Sequence, residues 1–170
     1  MRAGHFGEGD YGKTEREIRQ LLGVTLPAPT GVPDHTPTGL LTPETYLGYE
    51  HGLANYVGLP VTRDRFARYA QPAHLPDSRV AYAGRWKVGP EQIASGGRAS
   101  ILLHFYARDV YLVAGGKGRV RVLLDGRPHG AIRVDGFRLY TAVDGKSKLR
   151  NGTLDLRFPP GIDAYSFTFG

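Results

Sequence analysis

The sequence predicts a mainly β protein, an antiparallel β-sandwich or jelly roll preceded by a short N-terminal helix. Three observations predict it. From residue 79 onward apolar side chains alternate with polar ones, the period of strands that bury one face. Turn signals centred on Gly, Asp and Asn divide that alternation into about eight runs. The composition agrees: 24 Gly, 12 Pro, 10 Tyr and 7 Phe make a turn-rich, β-favouring mixture.

The first element lies in "HFGEGDYGKTEREIRQLL", residues 5–22. Asp10 is placed to cap a helix, and Glu15 lies near the first turn, where an acidic side chain suits the helix dipole. Tyr11, Ile18, Leu21 and Leu22 are spaced to form one apolar stripe. Gly23 stops the helix in the left-handed conformation. Such a stripe needs a neighbour to cover it. Residues 24–39, "VTLPAPTGVPDHTPTG", hold four prolines and no hydrophobic period, which predicts an extended linker. The remaining segment, 40–170, is then the sandwich domain. In it, "LTPETYLGYE" carries a Thr-Pro-Glu start signal, predicting a helical turn over 43–47. The stretch to residue 79 is irregular and is expected to wrap over a sheet.

The strands follow in order. Val80, Tyr82, Gly84, Trp86 and Val88 share one parity, as do Ile101, Leu103, Phe105 and Ala107. Val110 and Leu112 come after a corner at Arg108-Asp109. Next are Val120, Val122 and Leu124; Phe137, Leu139, Thr141 and Val143; Leu154, Leu156 and Phe158; and Tyr165, Phe167 and Phe169. Turns are predicted at 115–118, 125–130, Asp135-Gly136, Asp144-Gly145, Asn151-Gly152 and 159–161.

Composition excludes several functions. There is no cysteine, so the chain has no thiol chemistry, disulfide or cysteine-based zinc site. No apolar run approaches bilayer length, and Met1 opens no signal-peptide pattern. The net charge is +6, but Lys and Arg are spread along the whole length. Without a basic helix or run, solubility explains the charge and nucleic acid is not an expected partner. The six His lack metal-ligand spacing, and neither a nucleophile elbow nor a phosphate loop occurs. No catalytic residue, metal or cofactor is expected.

The segment "HFGEGDYGKTEREIRQLL" resembles the final strand-to-helix passage of a thioredoxin fold. The blocks "LTPETYLGYE", "GRWKVGPEQI", "LHFYARDVYLV", "VRVLLDGRPHG", "FRLYTAVDG" and "PPGIDAYSFTFG" resemble, in order and spacing, the C-terminal domain of DipZ-type thioredoxin-like, cytochrome c biogenesis (redoxin) fusion proteins. The resemblance implies a β-sandwich similar to carbohydrate-binding modules, within proteins that exchange thiols and disulfides outside the cytoplasm. It also implies that residues 1–23 are a remnant of the thioredoxin fold. The family's Cys-x-x-Cys motif lies before the point where this chain starts, so the family's redox activity is not carried by these residues.

Candidate binding residues come from the strand parity opposite the core. His104, Tyr106, Arg108, Tyr111, Arg138 and Tyr140 combine aromatic rings with directional donors, the mixture that binds sugars. The competing reading is an ordinary polar sandwich surface with Arg–Tyr stacking. Three secondary candidates are Tyr49, Trp86 and Glu91. Trp86 shares the core parity and reads first as packing, and Glu91 reads first as a cap or ion-pair partner. Arg108 and Asp109 are expected to tie their corner by a charge-assisted bond. The expected function is a non-enzymatic accessory module that binds a glycan or an envelope protein beside a thioredoxin-like domain. The alternative is one part of a thiol–disulfide oxidoreductase whose cysteines are supplied by a separate domain.

Overall fold

A computed structural model describes residues 11–24, 41–146 and 148–170. The chain divides into two compact units, residues 1–40 and 41–170. Of the first, the described part is α1 (Tyr11–Leu22) with two residues beyond it. Gly23 takes φ 65°, and the Gly23 and Val24 N–H groups donate to the Gln20 and Arg19 carbonyls, so the helix ends where its glycine permits. Glu15 and Arg19 pair one turn apart at 2.8 Å. Asp10 and residues 25–40, which hold nearly all of the predicted linker, lie outside the described residues.

The second unit is built from eleven strands. They are β1 (Thr45–Tyr46), β2 (Phe66–Tyr69), β3 (Val80–Val88), β4 (Ile93–Ser95), β5 (Ala99–Ala107), β6 (Val110–Gly116), β7 (Gly118–Leu124), β8 (Arg127–Val134), β9 (Arg138–Val143), β10 (Arg150–Phe158) and β11 (Ile162–Phe169). These strands pair with one another antiparallel, in the series β8-β7-β10-β5-β3-β4-β11-β6-β9, with β1 added to β11 and β2 to β3. The predicted mainly β sandwich is therefore the fold. Layer I consists of β8, β7, β10, β5 and the first half of β3. Layer II consists of the second half of β3 with β2, β4, β11, β1, β6 and β9.

Strand β3 belongs to both layers. Val80 to Ala83 pair with β5, whereas Gly84 to Lys87 pair with β2 and Trp86 to Val88 with β4. The change occurs at Gly84, where φ is 81° and a Cβ would lie 1.7 Å from the Arg98 carbonyl oxygen. Only glycine fits a turn of that hand at that distance. The two inner faces enclose Tyr82, Trp86, Ile101, Leu103, Phe105, Leu112, Leu154, Leu156 and Phe167, all fully buried. Polar groups inside are partnered. The Tyr82 hydroxyl donates to the Leu47 carbonyl at 2.6 Å, and the Trp86 indole donates to the Ala83 carbonyl at 2.9 Å.

Five local expectations are corrected. The predicted helical turn at 43–47 is strand β1, because Thr45 and Tyr46 find Phe167 and Ser166 as ladder partners and long-range pairing overrides the local start signal. The predicted turn at 125–130 shrinks to Asp125-Gly126, both at positive φ, and the next residues form the edge strand β8. Asn151-Gly152 lies inside β10 opposite Tyr106 and Phe105. In β9 the phase is reversed: Phe137 before it and Leu139 in it are 68% and 51% exposed, whereas Tyr140 is 7% exposed. Tyr140 tolerates burial because its hydroxyl donates to the Gly136 carbonyl at 2.7 Å and accepts the Asp135 N–H at 3.1 Å. In β11 a bulge between Ala164 and Ser166 takes Tyr165 out of phase with Phe167.

Candidate functional site

The six residues of the predicted face fall into three pairs. His104 and Tyr106 are on β5, in layer I. His104 lies 3.5 Å from Asp77 and faces the Ser78 N–H, and the Tyr106 backbone is held by Thr42. Arg108 and Tyr111 meet near Gly170, whose added Cβ would lie 3.5 and 3.6 Å from their side chains. Arg108 donates to Asp109 at 2.6 Å, and both backbone N–H groups of the corner donate to the Gly170 carbonyl, so this corner is tied as expected. Arg138 and Tyr140 close the β8–β9 turn. The guanidinium sits 4.9 Å above the Tyr140 ring and pairs with Asp135 at 2.5 Å. Tyr111 lies opposite Thr141 on the outer side of layer II, while Tyr140 is turned into the core. The six thus do not share one surface; parity places a residue on a face but does not say to which layer its strand belongs.

The secondary candidates separate as well. Trp86 is fully enclosed and cannot meet a ligand. Tyr49 is held by Asp64 at 3.2 Å and carries the Arg63 guanidinium 4.6 Å over its ring. Glu91 lines a hollow of about 200 Å³ with Tyr46, Gly48, His51, Pro90, Tyr165 and Ser166.

Two loops build that hollow. The segment after β1 lies backbone to backbone on the β3–β4 turn: the Tyr49 and Glu50 N–H groups donate to the Gly89 and Pro90 carbonyls. Gly48 is required there, since a Cβ would come 2.1 Å from the Pro90 oxygen. Tyr46 projects from the outer side of β1, and His51 meets it edge to face at 5.8 Å. The β11 bulge turns Tyr165 outward against Phe137, whose ring lies 4.9 Å away at 82°. Tyr46, Tyr165, Phe137 and Leu139 thereby form an apolar shoulder on the outer face of layer II, with Tyr46, Phe137 and Leu139 exposed.

The rim is acidic. Partial burial, then the nearby Asp163 and Glu91 carboxylates, raise the Tyr165 phenol above its ordinary value. The Glu44 carboxylate does the same to Tyr46, accepting its hydroxyl at 3.3 Å. Burial raises Asp163 itself, against the pull of Lys87. The shoulder can therefore cover an apolar surface while its rim meets donors or cations. Sequence reading found Glu91 but passed over Tyr46, His51 and Phe137. The tyrosine lay in a predicted helical turn and the phenylalanine in the misphased β9. Among the described residues no group of His, Asp and Glu is placed to hold a metal.

Comparison with known proteins gives one family and a consistent set of relatives. Residues 42–170 match the family described as "Thioredoxin like C-terminal domain". The chain is 39% identical over 173 aligned residues to the proteins named "Protein DipZ" from Mycobacterium bovis and Mycobacterium tuberculosis. The alignment covers 97% of this chain and 25% of each relative, so the chain spans about a quarter of the length of the curated relatives it matches.

Proposed function

Because the chain belongs to the family of thioredoxin-like C-terminal domains, we propose that residues 41–170 are a non-catalytic binding module of a DipZ-type thiol–disulfide protein. A cysteine-free chain has no group for thiol exchange. The observation that carries the reading is the apolar shoulder of Tyr46, Phe137, Leu139 and Tyr165 beside the hollow at Glu91. A soluble surface does not retain clustered large apolar side chains without a use for them. Of the two ligand classes, a protein surface suits this face better than a sugar. Tyr165 and Phe137 meet nearly at right angles and share no plane on which a pyranose could lie, and Leu139 adds aliphatic area. The second reading, participation as one part of a redox protein, is favoured by the length of the relatives, four times that of the match.

Two measurements test this. The chain alone should leave the rate of insulin reduction by dithiothreitol at the buffer value; acceleration would refute a non-catalytic module. Calorimetric titration with a cysteine-containing thioredoxin-type domain should give binding that Phe137→Ser and Leu139→Ser each weaken by about 1–3 kcal/mol. Binding unchanged in both variants would move the contact off this face.

A further inference from the structure

The outer face of layer I carries a second site of different chemistry: we infer that it is a groove for an acidic polysaccharide. The inference rests on reading the domain as a binding module, but on a different face and different residues from the shoulder of layer II.

The groove follows from strand alternation. Val120, Val122, Leu156 and Phe158 are buried on the inner side of β7 and β10, so Arg119, Arg121, Asp155 and Arg157 project from the outer side. The register sets Arg121 directly opposite Arg157 across β7 and β10. It sets Arg119 directly opposite Arg133 across β7 and β8. Like charges in directly facing positions destabilise a sheet, and here two such pairs lie side by side. Arg98, at the start of β5, adds a further guanidinium. These residues line a hollow of about 830 Å³, and a second of about 650 Å³ continues it past Arg119 to Lys117 and Arg133. Among the described residues Arg98, Arg119, Arg121 and Arg133 have no carboxylate within ion-pair distance. Arg157 has one, Asp155, at 3.0 Å. Four guanidinium forks thus line the two joined hollows without an ion-pair partner of their own, against only two carboxylates, Asp155 and Asp135, in the lining, an arrangement that an anionic ligand relieves.

Asp155 narrows the ligand further. Its Oδ2 takes Arg157, while its Oδ1 is buried without a hydrogen-bond partner. Oδ1 has no open surface, so what the Asp155 side chain offers the groove is its Oδ2 edge, and a ligand lying here must set a donor beside that carboxylate as well as anions on the arginines. Sugar hydroxyls supply the donor and uronate carboxylates supply the anions, each carboxylate matching one guanidinium fork. The other acidic polymers fit less well. A DNA backbone brings no donor, and for the bases of either nucleic acid no exposed aromatic ring lines the cleft to stack on, Phe158 being buried. An extended acidic peptide needs main-chain partners, which a sheet edge offers and a sheet face does not. The floor is small, with Ser100, Gly130 and Ala131 leaving room for pyranose rings. From β5 across β10 and β7 to β8 the face spans roughly 15 Å, three strand spacings, which suits an oligomer.

The test is calorimetric titration of the full chain with a galacturonate oligomer. Binding is expected, and it should weaken about tenfold or more between roughly 50 and 200 mM salt. Arg119→Glu combined with Arg121→Glu should lower affinity at least about tenfold, with the near-UV circular dichroism of buried Trp86 unchanged. Should that double variant lose the Trp86 signal, Arg121→Gln alone decides by the same loss of affinity. Phe137→Ser should bind the oligomer like the parent, which separates this groove from the shoulder of layer II. The inference is overturned if the oligomer does not bind or if folded groove variants bind it unchanged. It is equally overturned if the methyl-esterified oligomer, poly-glutamate or duplex DNA binds as tightly.

Discussion

Phe167 and Leu139 occupy neighbouring parts of layer II and face opposite ways, one fully buried, the other half exposed. Phe167→Ala should lower unfolding free energy by about 3–5 kcal/mol in a denaturant titration, and Leu139→Ala by less than about 0.5 kcal/mol. Equal costs would contradict the observed phase of β9. Polar groups have their own signatures. Tyr82→Phe leaves the buried Leu47 carbonyl without its donor and should cost about 1–2 kcal/mol. Burial, reinforced by Tyr69, pushes the Tyr56 phenol up from its ordinary value of 10.0 to about 12, and burial drives Tyr82 higher still. Between those values the unfolded chain has lost protons that the folded chain retains, so stability falls as pH rises above 10. Tyr56→Phe should flatten that alkaline limb. Asp125 has the opposite sign. The Thr153 N–H, then Arg150 and Arg127, hold its carboxyl below the ordinary 3.8. Its contribution is complete above that value and lost as pH falls through the lower folded value. Acid unfolding of Asp125→Asn should accordingly lack this component.

Elements differ in how much of themselves the sequence discloses. Strands β3, β5, β7, β10 and most of β6 were legible because aliphatic and aromatic side chains alternate with polar or small ones along them. Strands β1, β2 and β4 were not: with two to four residues each, they are strands only because longer neighbours offer them a ladder. The phase of β9 was misread because it is an edge strand with a register shift opposite Val110–Tyr111, and because a tyrosine hydroxyl found backbone partners inside. The most demanding local feature is the corner in β3. Gly84→Ala sets a Cβ against the Arg98 carbonyl and a side chain at φ 81°; it should destabilise the domain by more than about 3 kcal/mol, or prevent folding, as read by thermal unfolding. Removing residues 1–23 belongs at the other extreme. If residues 41–170 hold their own core, the melting temperature should move by no more than a few degrees, and collapse of the fold would assign the helix to that core.

At the scale of the molecule, function is harder to read than fold because topology decides which distant residues meet. The basic groove gathers arginines from residues 98, 119, 121, 133 and 157; along the chain these look like dispersed charge, and only the β7–β10 and β7–β8 registers turn them into a face. The same holds for the shoulder, where Tyr46 and Tyr165 come from opposite ends of the domain. That closure also governs how the protein is made. Thr45 pairs with Phe167, 122 positions later. A ribosome adding roughly 5–20 residues per second leaves β1 without its partner for about 6–25 s. Throughout that interval Leu47, Tyr82 and Trp86 have no completed second layer to cover them, and layer II cannot be finished before its middle strand emerges. The nascent domain is thus exposed to chaperones and proteases until its final residues are translated, and any premature stop before β11 yields a product that cannot close.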